Sequence, residues 1–142
     1  AATLLSSAST FAAETAARGA ETILLVEDHR DVRELAAKAL TMYGYTVLEA
    51  DQGARAVDLC GQHAGPIDLL ITDVVMPGIG GRALAEMLVK LRPEMRVLFM
   101  SGYTDDVVVR RGISEAGMEF LQKAFTLEKL TLKVREVLSN PR

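Results

Sequence analysis

At 142 residues and 15.4 kDa, the chain holds about one domain's worth of sequence and leaves little room for a second hydrophobic core. Its 49% apolar and 25% charged residues match ordinary globular usage and exclude disordered, collagen-like and fibrous classes. Sixteen Lys and Arg against nineteen Asp and Glu give a net charge of −3, without the basic excess that direct nucleic-acid binding requires. Cys60 is the single cysteine, and His29 and His63 are the only histidines. An internal disulfide and a Cys/His zinc set are both excluded, and a reducing, cytoplasmic setting is expected.

Residues 1–20 contain eight Ala, three Ser and three Thr but neither a basic start nor a continuous apolar segment, so they read as a linker or leader rather than a secretory signal. No apolar run approaches the roughly 18 residues of a membrane helix. From Glu21 onward, short aliphatic runs alternate with segments of helical period, the pattern of a parallel sheet covered by helices on both faces. Strands are predicted at Thr22–Val26, Thr46–Glu49, Leu69–Thr72, Val97–Met100 and Phe120–Leu121. The first helix is predicted to bury Val32, Leu35, Ala36, Ala39 and Leu40, the third Leu84, Met87, Leu88 and Leu91. The last buries Leu127, Leu130, Val134, Val137 and Leu138, each set following the i, i+3, i+4 spacing of one face. The second and fourth helices, near Ala54–Cys60 and Asp105–Glu115, carry weaker periodicity. These five β/α units occupy residues 21–138, about 24 residues per unit, and residues 139–142 form a tail.

In an open parallel α/β sheet, sites form outside the carboxyl ends of the strands. The first predicted strand ends in Glu27-Asp28, the third in Asp73, the fourth in Ser101-Gly102 and the fifth in Gln122-Lys123. Acids before a helix also cap its N-terminus, and a turn Ser or a loop Lys is ordinarily structural. Independent capping, however, gives no reason for a hydroxyl and a lysine to end the neighbouring strands. Clustered carboxylates repel unless a cation sits between them, and Mg²⁺ with oxygen ligands suits them. Asp73 can attack phosphorus through its carboxylate. Lys123 and Ser101 can then each engage a phosphoryl oxygen.

LLVEDHRDVR after the first strand, ITDVVMPGIGG around Asp73, FMSGYTDD after the fourth strand and FLQKAF at the fifth together resemble the receiver domain of bacterial two-component response regulators. The resemblance covers about residues 21–138. It implies a single flavodoxin-like (βα)5 α/β domain whose five-stranded parallel sheet has the order 2-1-3-4-5. It also implies that Glu27, Asp28, Asp73 and the backbone carbonyl of Val75 bind Mg²⁺, that Asp73 accepts phosphate from a phosphohistidine, and that Ser101 and Phe120 act as switch residues. The implied partner is a histidine kinase or a histidine phosphotransfer domain, and the chain itself is expected to be a phosphorylatable signalling domain rather than an enzyme. The linker-like leader and the absence of an initiating Met favour the terminal receiver of a hybrid histidine kinase over a free-standing regulator.

The chain departs from the family pattern at Ala124, where receivers usually carry a proline after the lysine. A cis bond there is about 2 to 3 kcal/mol harder to hold without proline, so a trans Lys123–Ala124 bond is expected. Val107, Val108 and Val109 make an apolar run that reads either as partner surface or as ordinary core. Cys60 and the methionines read as packing residues, His29 as a helix-start residue, and Gly78, Gly80 and Gly81 as residues of the turn after Asp73. Two other functions compete. A Mg²⁺-dependent phosphatase with an aspartyl nucleophile usually has an acid two residues beyond it, where this chain has Val75. A flavodoxin would hold a phosphate in its first loop, which Glu27-Asp28-His29 would repel.

Overall fold

Leu69–Asp73 is buried at every position, as a strand covered on both faces must be. It forms β3 at the centre of a parallel sheet in the computed structural model, which describes residues 19–101, 119–122 and 125–139. In chain order the elements are β1 (Thr22–Val26), α1 (Arg30–Met42), β2 (Thr46–Ala50), α2 (Gly53–Gln62), β3 (Leu69–Asp73), α3 (Gly81–Leu91), β4 (Arg96–Ser101), β5 (Glu119–Gln122) and α4 (Leu127–Ser139). The five strands are ordered β2-β1-β3-β4-β5, all in parallel register, as the sequence resemblance implies. The predicted strands reappear, most of them longer by one or two residues. The helix expected near Asp105–Glu115, the Val107–Val109 run, Lys123 with Ala124 and residues 1–18 lie outside the described residues. No helix among the described residues is long and apolar enough to cross a membrane.

Alternation along the strands divides the core in two. Leu24, Val26, Leu70 and Phe99 face α2 and α3, meeting Ala56, Cys60, Leu84 and Leu88. Ile23, Leu25, Ile71, Leu98 and Met100 face α1 and α4, meeting Ala36, Leu40, Leu130 and Val134. The chain first winds outward from β1 to β2 and then returns past β1 to β3. Because parallel crossovers are right-handed, that reversal puts α1 and α2 on opposite faces and opens a crevice between the carboxyl ends of β1 and β3.

The helical faces differ from expectation at their flanks. Leu35 is 52% exposed, Leu91 61%, and Met87 and Leu127 are exposed as well, whereas Ala37, Ala85 and Thr131 are buried. Alanines bring α1 and α3 close to a flat sheet, so the contact stripe is narrow and excludes long side chains one position around the helix. Cys60, Met76, Met95 and Met100 pack inside as expected, but Met42 is exposed.

Two arginines fasten the amino side of the sheet. Arg92, just after α3, donates from Nε and Nη2 to the Cys60 carbonyl at 3.2 and 2.9 Å, from Nη2 to His63 at 2.8 Å and from Nη1 to Gly65 at 2.7 Å. One guanidinium thereby satisfies carbonyls that the end of α2 leaves open. Arg92→Ala is expected to lower stability by about 1 to 3 kcal/mol, read as a lower urea midpoint at unchanged slope. Arg135 of α4 holds Glu21 at the start of β1, with Nη2 2.7 Å from Oε2 and Nη1 3.2 Å from Oε1. That hydrogen bond lowers the Glu21 pKa below its ordinary 4.5. A depressed carboxyl pKa contributes stability above the unfolded-state value and loses it as pH falls through the folded-state value. Glu21→Gln should therefore flatten the acid limb of the stability curve below about pH 4.5, by less than about 1 kcal/mol because the pair is partly solvated.

Candidate functional site

The chain leaves β1 at Val26 with one further ladder bond, from the Glu27 amide to the Ala50 carbonyl at 3.0 Å. Glu27 is thereby held fully buried at the mouth of the crevice. Its carbonyl accepts from Arg33 Nη1 at 2.9 Å, so the first turn of α1 reaches back and fixes the loop. Glu27 Oε1 accepts from the His29 amide at 3.0 Å and lies 3.0 Å from His29 Nδ1. Asp28, between them, keeps 27% of its side chain exposed, with Oδ1 3.4 Å from the same ring nitrogen.

Across the crevice, β3 delivers Asp73, only 2% exposed. Its Oδ1 accepts from the Val75 amide at 3.3 Å. The loop beyond turns through Gly78 at φ +78° and is closed by a bond from the Gly81 amide to the Val74 carbonyl at 2.9 Å. Gly81 sits so tightly under this loop that a Cβ would collide with the Asp73 carbonyl and come within 3.1 Å of the Val74 Cα. No side chain is tolerated there, which is why the helix behind the aspartate begins with glycine.

Glu27, Asp28, His29 and Asp73 each bring one donor atom within 4.8 Å of the others. The three carboxylates expected on one rim do converge. Two unit negative charges about 5 Å apart repel by about 3 kcal/mol at an effective dielectric constant near 20, so the arrangement favours a positive ion. The donors are hard oxygens with one imidazole, and Asp28 Oδ1 is buried without a hydrogen bond among the described residues. These residues fit a hard divalent cation.

Ser101 ends β4, directly after Met100, the register partner of Asp73. It is fully buried, and its Oγ makes no hydrogen bond among the described residues. Phe120 of β5 pairs in register with Phe99 and packs, half-buried, against the α2/α3 side of the core. Ser101, Phe99 and Phe120 thus share one face of the sheet. The Val75 side chain is 59% exposed, and Lys123 lies outside the described residues. Sequence reasoning set His29 aside for want of a second histidine, yet its ring joins the acids. A position two residues after a buried acid, in a tight loop, was the signal available. Arg33 was missed because a backbone carbonyl partner leaves no trace in residue types.

Comparison with known proteins agrees with this geometry. Residues 23–135 match the family described as response regulator receiver domain. Over 120 residues the chain is 39% identical to the sensor kinase CckA of Brucella abortus (strain 2308), an alignment spanning 84% of this chain and 13% of that protein. Over 116 residues it is 32% identical to the response regulator receiver protein CpdR of the same organism, spanning 82% of this chain and 95% of CpdR. The solved receiver domain from the hybrid histidine kinase CckA superposes with a TM-score of 0.69 at 36% identity, covering 83% of this chain and 99% of that one. With the 2-1-3-4-5 sheet, the acids at its switch point and this match over most of its length, the chain belongs to the response regulator receiver domain family.

Proposed function

We propose that this chain accepts a phosphoryl group on Asp73 from a phosphohistidine of a histidine kinase or histidine phosphotransfer partner, and that the acyl phosphate resets a partner-binding surface through Ser101 and Phe120. The observation that carries the proposal is the convergence of the Glu27, Asp28 and Asp73 carboxylates within 4.8 Å at the crevice between β1 and β3. An Asp73 carboxylate oxygen attacks phosphorus, the P–N bond to the partner imidazole breaks, and its electron pair stays on that nitrogen. Mg²⁺, when bound by Glu27, Asp28, Asp73 and the Val75 carbonyl, shields the incoming phosphoryl charge. Glu27 and Asp73, both buried, hold their positions, while the more exposed Asp28 can adjust. Lys123 supplies a point charge to one phosphoryl oxygen.

The phosphoryl group brings nearly two negative charges and three acceptor oxygens. The Ser101 hydroxyl, buried without a hydrogen bond among the described residues, then gains an acceptor by moving toward Asp73. Phe120, on the same face of the sheet, follows into the space behind it. The receiver unit, read from the sequence as residues 21–138, works in the cytoplasm; its folded part takes in Gly19, whose amide donates to the Tyr43 carbonyl, and Ser139 at the end of α4. The likeness to the sensor kinase CckA supports a hybrid-kinase or phosphorelay setting. A phosphatase reading finds no general acid at Val75.

Incubation of the chain with a small phosphodonor and Mg²⁺ tests the proposal. A stoichiometric, hydroxylamine-sensitive label is expected; sustained turnover of the donor would make the protein an enzyme, and no label would overturn the proposal. Asp28→Ala gives a second check by thermal melting. Wild-type protein should gain about 2.7 kcal/mol at Mg²⁺ a hundredfold above Kd, and the variant should lose most of that gain. Without Mg²⁺ the variant should be at least as stable as wild type, because one like charge is gone. If both melts fall equally, the acids are structural.

A further inference from the structure

We infer that Arg33 is a positioning residue for phosphoryl transfer: from α1 it holds the backbone that carries Glu27 and Asp28, and so sets how tightly that acidic pair binds its cation. This rests on reading the cluster as a cation site. The guanidinium donates from Nη1 to the Glu27 carbonyl at 2.9 Å, while its Nε stands 3.7 Å from Glu49 Oε1 on β2, beyond hydrogen-bond reach. The side chain is 17% exposed and borders an open pocket of about 460 Å³ lined also by Glu49, Asp51 and Arg55. Two carboxylates line that pocket, yet the hydrogen bond of Arg33 goes to a neutral carbonyl.

That carbonyl lies where the chain leaves the sheet. Val26 is the last residue of β1 in register with both neighbours, opposite Ala50 of β2 and Thr72 of β3. The Glu27 amide adds one bond, to the Ala50 carbonyl at 3.0 Å, and Arg33 takes the carbonyl of the same residue. Glu27 is thus held by the sheet on one side and by α1 on the other. Helix α1 is itself fixed through Ala36 and Leu40, which pack in one cluster with Leu25 and Ile71. Core packing is thereby relayed through one side chain to the acidic loop. Asp28 depends on this most, because its Oδ1 has no hydrogen bond of its own among the described residues.

Charge and geometry predict opposite effects for Arg33. A guanidinium beside the crevice repels a divalent cation, so its charge alone weakens Mg²⁺ binding, and removing it would tighten that binding. A loop held in place before the ion arrives binds the ion more tightly, because the fold has already met the cost of ordering it. Groups that orient metal ligands are worth about ten- to a hundredfold in affinity. The sign of the change separates the two roles.

Calorimetric titration of the full chain with Mg²⁺ tests this in wild type, Arg33→Met, Arg33→Lys and Arg55→Met, together with amide hydrogen exchange in chelator. Arg33→Met keeps an unbranched apolar stem but loses the donors and the charge; it should bind Mg²⁺ about tenfold more weakly or worse. Arg33→Lys, which keeps the charge without the planar fork, should weaken binding in the same direction. Arg55→Met removes an equal charge from the same pocket and should bind Mg²⁺ as tightly as wild type or more so. Exchange at the Glu27 and His29 amides should quicken about tenfold in Arg33→Met, while Leu24, in the middle of β1, keeps its wild-type rate. At saturating Mg²⁺, phosphoryl labelling of Arg33→Met should return to within about twofold of wild type, since Asp73 is carried by β3. Unchanged or tighter Mg²⁺ binding in Arg33→Met overturns the inference. So does equally faster exchange at Leu24, the mark of general destabilisation rather than of a released loop. If wild type itself binds no Mg²⁺, the Mg²⁺ role proposed above falls, and the exchange rates alone decide whether Arg33 holds the loop.

Discussion

Asp73→Asn should reduce phosphoryl labelling by about a thousandfold or more while leaving the fold intact. The amide keeps the shape of the side chain and an oxygen to accept from the Val75 amide, a bond of 3.3 Å in the parent, but it removes the nucleophilic carboxylate. It also removes one of three negative charges held within 4.8 Å. The metal-free variant should therefore melt higher than wild type, with a relieved repulsion of up to about 3 kcal/mol per pair at this separation and effective dielectric. Labelling followed by mass spectrometry, with a melt in chelator, checks both halves. Wild-type labelling would put the phosphoacceptor elsewhere, and a large loss of stability would mean that Asp73 is a structural acid.

Gly81→Ala sets two effects of opposite sign against each other. Alanine inside a helix is favoured over glycine by about 1 kcal/mol, so propensity alone predicts stabilisation. The new Cβ, however, would collide with the Asp73 carbonyl and approach the Val74 Cα at 3.1 Å. Both are backbone atoms and cannot rotate away. Relief requires α3 or the loop carrying Asp73 to shift, and strain of this kind costs about 1 to 3 kcal/mol or more. The net expectation is a loss of about 2 kcal/mol in urea unfolding, together with slower labelling because the nucleophile sits on the displaced loop. A variant as stable as wild type and labelled at the same rate would show that the loop yields freely.

Strand positions and the three converging acids were legible in the sequence because aliphatic runs and strand-end polarity are local properties. The switch point needed only the handedness of parallel crossovers and the strand order that the resemblance supplied. Flanking positions such as Leu35 and Leu91 were misassigned because periodicity marks an apolar arc but not how much of it a flat sheet covers. Ala37 and Thr131 were overlooked for the converse reason, being small enough to sit under the helix. The Arg92 clamp bridges 27 to 32 residues to backbone carbonyls, and acceptors of that kind carry no side-chain signature. His29, read as a helix-start residue, does stand at the N-cap of α1, but its contact with Glu27 depends on how the loop folds and carries no sequence signature.

The link between Glu21 and Arg135 has an architectural consequence. Arg96 also donates to the carbonyls of Val137 and Leu138, so the start of β1 and the last turn of α4 are anchored side by side. Both lie at the amino edge of the sheet, away from the acidic crevice. Segments joined to either side of residues 19–139 would leave the fold as neighbours, as though spliced across a short gap, with the crevice facing outward. Such a unit can be inserted into a longer chain or re-cut as a circular permutant without rerouting its strands. Pulling on its two ends would load the Glu21–Arg135 pair before it reached Asp73.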